Sequence, residues 1–151
     1  MLGIFENQTI VQIGIIVKDI EKTSLVYSKL FNIEKPQWFL TEPFNKAETE
    51  YRGNSTQARA KLAFIKFNNI EIELIEPDDN PSTWREYLDT KGEGVHHIAF
   101  RIEGMNQALL ELNEISMPLI QKGEYEGGHY AYIDSLKDLK VMIELLEHNN
   151  K

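Results

Sequence analysis

Gly94-Val95-His96-His97-Ile98-Ala99-Phe100-Arg101-Ile102 alternates in character at period two, which predicts a strand. Strict alternation puts His97, Ala99 and Arg101 on one face and His96, Ile98, Phe100 and Ile102 on the other. Gly94 opens the strand and Gly104 closes it. A second stretch, Val11-Gln12-Ile13-Gly14-Ile15-Ile16-Val17, is built the same way. Laying Gln12 on His97 aligns Gln-Ile-Gly-Ile-Ile-Val with His-Ile-Ala-Phe-Arg-Ile. An acidic residue and an amphipathic helical pattern follow each, so the chain carries an internal repeat.

Working outward, residues 9–17 read as the first strand. Asp19 suits an N-cap, and Ile20, Ser24, Tyr27, Leu30 and Phe31 recur at helical spacing. Asn32 suits a left-handed helix end. A short strand is expected at 38–40. A polar loop over 41–58 holds one strand-like piece at 48–52. Strands at 61–67 and 70–76 flank an Asn68-Asn69 turn, and Pro77 ends the second. A linker at 78–82 leads to a short helix at 83–89. In the second half Met105, Ala108, Leu109, Leu112 and Ile115 predict a helix. A strand at 118–121, a Gly-rich turn at 123–128, a strand at 130–133, a turn at 135–138 and a last strand at 141–147 follow. Ile-Glu-Ile-Glu-Leu-Ile-Glu (70–76) matches Val-Met-Ile-Glu-Leu-Leu-Glu (141–147), which lays Glu73 on Glu144. Both halves thus read strand, helix and three strands. The expectation is one α+β domain of two βαβββ modules, 9–77 and 94–147, joined by 78–93, with a cup-shaped mixed sheet around a central cavity.

The 151 residues, 42% of them hydrophobic, are enough for one compact core. A net charge of −8 argues against a nucleic-acid surface, which needs a basic stripe. With no cysteine there is no disulfide, thiolate zinc site or cysteine nucleophile. No apolar run reaches the ~20 residues needed to span a bilayer, and the first seven residues lack the basic and apolar regions of a signal peptide. A cytoplasmic protein without membrane contact is expected.

Alternation sorts the chemistry. One face of each matched strand is apolar and suits a covering helix. The other carries Gln12 in the first strand, Glu73 in the strand ending the first half, and His97 and Glu144 at the repeat-related places. Two readings are open: a solvated polar face, or a cavity wall on which the four side chains converge on a divalent metal. An amide oxygen, an imidazole and two carboxylates suit zinc, nickel, cobalt or manganese with positions left open for substrate. Arg101 shares that face and would either hold an anionic substrate group or pair with a carboxylate such as Glu71. His96 points to the helix-covered face by alternation. His129, after Gly127-Gly128, is a loop residue that would either face solvent or close over the cavity mouth.

The βαβββ repeat, Gly-Val-His-His-Ile-Ala-Phe-Arg (94–101), Ile-Glu-Leu-Ile-Glu-Pro (72–77), Gly127-Gly128 and Ile-Glu-Leu (143–145) resemble the vicinal oxygen chelate superfamily, which includes glyoxalase I, methylmalonyl-CoA epimerase, extradiol dioxygenases and antibiotic-resistance proteins. The resemblance runs from about Thr9 to Glu147 and looks most like the epimerase branch. It implies one metal ligand from each of four strands: Gln12, Glu73, His97 and Glu144. The epimerases usually place His where Gln12 stands, whereas a Gln/Glu/His/Glu set resembles some glyoxalase I enzymes. Ile16 and Glu93 occupy positions where such a glyoxalase has glutathione-binding arginines, and Leu-Ile-Glu-Pro (74–77) replaces its Thr-His-Asn segment. Glutathione dependence is therefore not expected. The epimerases' second catalytic glutamate has no clear match; Glu48 and Glu50 would need a shifted alignment.

What the resemblance implies is a metal-dependent isomerase or lyase moving a proton next to a carbonyl. Glu144 is the expected base and Glu73 the symmetry-related second choice. The substrate would be a CoA thioester or another vicinal-oxygen compound. The alternative is a metal-free small-molecule or antibiotic-binding module of the same fold. The cup would close within one chain or across a homodimer.

Overall fold

The computed structural model describes residues 3–6 and 8–149; Met1, Leu2, Asn7 and the tail residues Asn150 and Lys151, on which some expectations fall, lie outside the described residues. The chain runs β1 (Gln12–Ile16), α1 (Ile20–Phe31), β2 (Phe39–Leu40), α2 (Phe44–Ala47), β3 (Glu50–Tyr51), β4 (Asn54–Ser55), β5 (Ala60–Lys66), β6 (Glu71–Pro77), α3 (Thr83–Lys91), β7 (Gly94–Arg101), α4 (Met105–Glu114), β8 (Leu119–Tyr125), β9 (Gly128–Ile133), α5 (Leu136–Leu139) and β10 (Met142–His148). The strands form one curled mixed sheet in the order β2-β5-β6-β1-β7-β10-β9-β8-β3-β4. β1 and β7 are antiparallel at its centre, and each runs parallel to the last strand of its own half, β6 and β10. The two modules thus meet through their matching first strands.

α1 forms where its signals stand. Asp19 accepts from the Lys22 N–H at 3.1 Å, and Asn32 ends the helix at φ 52°. α1 and α4 cover the convex face. Ile20 of α1 packs on Val17, Ala63, Ile65 and Leu74; Met105, Ala108 and Leu112 of α4 pack on Ala131, Ile133, Ile143 and Leu145. A third cluster fills the base of the cup, with Trp84 of α3 against Ile16, Ile75, Tyr132 and Met142. Leu145 is fully buried; truncating such a side chain to Ala costs about 2–5 kcal/mol.

Four local expectations are corrected. The first strand spans Gln12–Ile16 rather than starting at residue 9, and Val11 N–H donates to Ala99 O just ahead of it. The 123–128 stretch is not a turn. β8 continues to Tyr125, and Gly123 faces Tyr130 across the ladder because a β-carbon there would lie 2.8 Å from the Tyr130 ring. The 135–138 turn is the short helix α5, one position later. Most consequentially, the 41–58 loop does not stay in its own half: β3 pairs with β8, Glu50 opposite Lys122, at the far edge of the sheet.

A candidate metal centre in the cup

Two rungs of the ladder on the same face, separated by the rung of Ile72, Ile13, Ile98 and Ile143, carry the site. One aligns Glu73, Gly14, His97 and Met142; the other aligns Glu71, Gln12, Ala99, Glu144 and Tyr132. The long ligand-type side chains thus flank small residues, Gly14 on one rung and Ala99 on the other. That vacancy lets four side chains lean together over the backbone. His97 Nε2 lies 3.1 Å from Gln12 Oε1, 3.4 Å from Glu73 Oε1 and 3.5 Å from Glu144 Oε1. All four residues are buried. Gln12 and His97 meet within one chain, so the cup needs no second copy to bring them together.

Neighbouring groups orient the donors. Gln12 Nε2 donates to Glu71 Oε1 at 3.1 Å. A carboxylate only accepts, so this contact turns the Gln12 oxygen toward the centre. Trp84 Nε1 donates to the Tyr132 hydroxyl at 3.0 Å, and that hydroxyl hydrogen-bonds Glu144. The register of β1 against β7 shifts between Gly14 and Ile15, and this bulge overturns the alternation expected for His96. The His96 and His97 rings both lie against Tyr132, with Nδ1 atoms 2.9 Å apart. A His97 that offers its Nε2 lone pair carries its proton on Nδ1 and donates it to His96.

Burial sets the electrostatics. It pushes Glu73 well above the usual carboxylate range, helped by the charges of Glu144 and Glu71. It pushes Glu144 up to about 8 against the Tyr132 hydrogen bond and the Arg101 charge. His97 is driven well below its usual value by burial and then by His96, and His96 falls to about 3 by burial. Glu73 Oε1 has no hydrogen-bond partner. Burial thus favours the neutral form of both carboxyls beside a neutral imidazole, and a bound cation would restore and offset their negative charge. Among the described residues no three His, Asp or Glu already form a metal cage. In kind, burial and convergence the four donors fit a divalent cation.

A cavity of about 480 Å³ opens over these residues, lined also by Phe39, Phe64, Arg101, Tyr125 and Tyr130. Arg101 lies at its exposed side, where it hydrogen-bonds the Tyr125 hydroxyl. His129 does not join it. His129 Nε2 meets Glu147 Oε1 at 2.8 Å and Nδ1 meets Asn149 Oδ1 at 3.0 Å, tying β9 to the end of β10. Glu147 in turn accepts from the Met105 N–H at the start of α4. Glu48 and Glu50 line a separate cavity with His129, so neither supplies a further carboxylate to the centre. Tyr132 and the orienting role of Glu71 went unseen in the sequence. The paired small residues Gly14 and Ala99 were visible in the repeat, and their shared smallness was the signal.

A curled sheet of paired βαβββ modules, with four buried polar side chains converging from four of its strands, defines a two-module cup. The chain belongs to the Glyoxalase/Bleomycin resistance protein/Dioxygenase superfamily, whose sequence pattern matches residues 11–133. It is 30% identical over 94 residues to YqjC of Bacillus subtilis, covering 60% of this chain and 67% of that one. It is 24% identical over 118 residues to the mitochondrial methylmalonyl-CoA epimerase of Bos taurus, covering 78% of this chain but only 59% of the bovine protein. In fold it is similar to a variant of the Streptomyces coelicolor methylmalonyl-CoA epimerase solved with 2-nitronate-propionyl-CoA: TM-score 0.60, 22% identity, 94% of this chain and 98% of that one.

Proposed function

We propose that this protein is a metal-dependent isomerase or lyase that moves a proton on the carbon next to a carbonyl, without glutathione. The observation that carries this reading is the convergence of three buried oxygens on His97 Nε2, one of them, Glu73 Oε1, without a partner. Gln12, Glu73, His97 and Glu144 would hold the cation. When bound, a divalent ion supplies polarisation of the substrate carbonyl oxygen. Glu144 removes the adjacent proton and returns it to the same carbon or a neighbouring one. Tyr132 holds the Glu144 carboxylate at the angle it needs. Glu71 keeps the Gln12 oxygen turned inward, and the Trp84–Tyr132 wall keeps water from the buried side of the site. Ile16 and Glu93 leave glutathione without the arginines that would bind its carboxylates.

Four buried polar donors are what a dry, metal-free binding pocket would not keep, because each costs desolvation and gives nothing to an apolar ligand. Elemental analysis of protein purified without chelator tests the proposal. About one divalent ion per chain, lost in His97→Ala, supports it; unchanged metal content in that variant refutes the site.

A further inference from the structure

The cavity is unevenly charged. Besides Glu73 and Glu144 it is lined by Glu42, Glu71, Glu124 and Glu126, and among the described residues lining it Arg101 is the one Lys or Arg. A divalent cation would balance Glu73 and Glu144. That leaves four carboxylates facing one guanidinium. A cleft with low-dielectric walls focuses such a field and repels a substrate carrying several negative charges. One part of the wall is apolar. Phe39 and Phe64 stack with ring centroids 5.8 Å apart, beside Leu40 and Leu62. Phe39 and Leu40 are about half exposed, 50% and 45%, although they face a cavity rather than open surface. A volume of about 480 Å³ holds a small molecule of medium bulk.

We infer that the cavity takes a small monoanionic vicinal-oxygen compound with an apolar side chain, of the 2-oxo acid class, rather than a nucleotide thioester bearing several phosphates. This assignment rests on the proton-transfer reading of the same site. The neighbouring oxygens of the 2-oxo acid face the four donors. Arg101 is the counter-charge for its one carboxylate, and the alkyl group lies on Phe39 and Phe64. Glu144 takes one proton from the carbon beside the ketone. The electron pair of that C–H bond moves toward the ketone oxygen, and in deuterated water a deuteron returns to the carbon. No oxidant or further reactant is needed.

The test uses the zinc-loaded full chain with two probes, 4-methyl-2-oxopentanoate and methylmalonyl-CoA. Saturation-transfer NMR reads binding, and loss of the proton signal beside the carbonyl in deuterated water reads exchange. The oxo acid is expected to bind at least about 10-fold more tightly than methylmalonyl-CoA. Arg101→Gln should weaken oxo-acid binding about 10-fold, the size of one charge-assisted contact at an exposed site, and Arg101→Lys should restore part of it. Methylmalonyl-CoA binding equally well or better overturns the substrate class, and exchange into it would leave the proton-transfer reading standing. Arg101-dependent binding of the oxo acid without exchange supports the substrate class and overturns proton transfer. Failure of the oxo acid to bind overturns the inference.

Discussion

Gly14 lies directly across the β1–β7 ladder from His97, and a β-carbon on Gly14 would fall 2.0 Å from the imidazole Cε1. The ring therefore occupies the space that any other residue at position 14 would fill. Gly14→Ala should expel the His97 ring from the centre, because the clash is with a ring held by His96 and Tyr132 rather than with a flexible chain end. Zinc affinity is expected to fall by roughly 10-fold or more, in line with displaced ligand geometry. Calorimetric titration checks this; parental affinity in a folded Gly14→Ala protein would contradict it.

Glu71 determines which end of the Gln12 amide faces inward. Glu71→Gln can both donate and accept, so it removes that choice while keeping the shape. Zinc affinity should drop by about 10-fold with little change in melting temperature, since Glu71 is only partly buried. Thermal unfolding alongside titration separates this outcome from a general loss of structure.

The ion-free protein should lose stability as pH rises. Glu73 and Glu144 are both raised by burial, so the folded state binds more protons than the unfolded state above about pH 4.5. Their contribution is fully present below the unfolded carboxylate value and is lost as pH climbs through about 8. His96 and His97, lowered by burial, act with the opposite sign, removing stability as pH falls below about 6.5 toward 3. Melting temperatures of chelator-treated protein should therefore peak at mildly acidic pH. Glu144→Gln should flatten the alkaline side. An alkaline slope that is identical in the variant would show that Glu144 does not contribute.

Glu144→Gln also isolates the base. It keeps an oxygen donor and the fold but removes basicity, so zinc binding should persist weakly while deuterium exchange into a bound carbonyl compound falls by roughly 10²-fold or more. Undiminished exchange would pass the role of base to Glu73.

Most of this architecture was legible from alternation and repetition. Laying Gln12 on His97 and Glu73 on Glu144 put on one face the four side chains that the structure brings together, because period-two strands assign faces without reference to tertiary structure. The failures share one cause: each depends on a partner distant in the chain. The bulge that turns His96 inward exists only because β1 slips against β7. Gly123 reads as a turn former until Tyr130 is placed opposite it. His129 has no visible role until β10 brings Glu147 beside it. Tyr132 looks like one aromatic among several until its strand partner proves to be Glu144.

The crossing of β3 to β8, the outermost strand of the second repeat, makes the two repeats mutually dependent. A piece of the first module completes the rim of the second, so the last rung of the sheet joins segments far apart in the chain. Such pairing carries a loop-closure cost that is met only after most other contacts have formed. The duplicated halves are therefore not interchangeable building blocks that could be cut apart and remixed. Excision of the second repeat would leave β3 and β4 with no sheet edge to join, and excision of the first would leave β8 as a bare edge open to pairing with other chains.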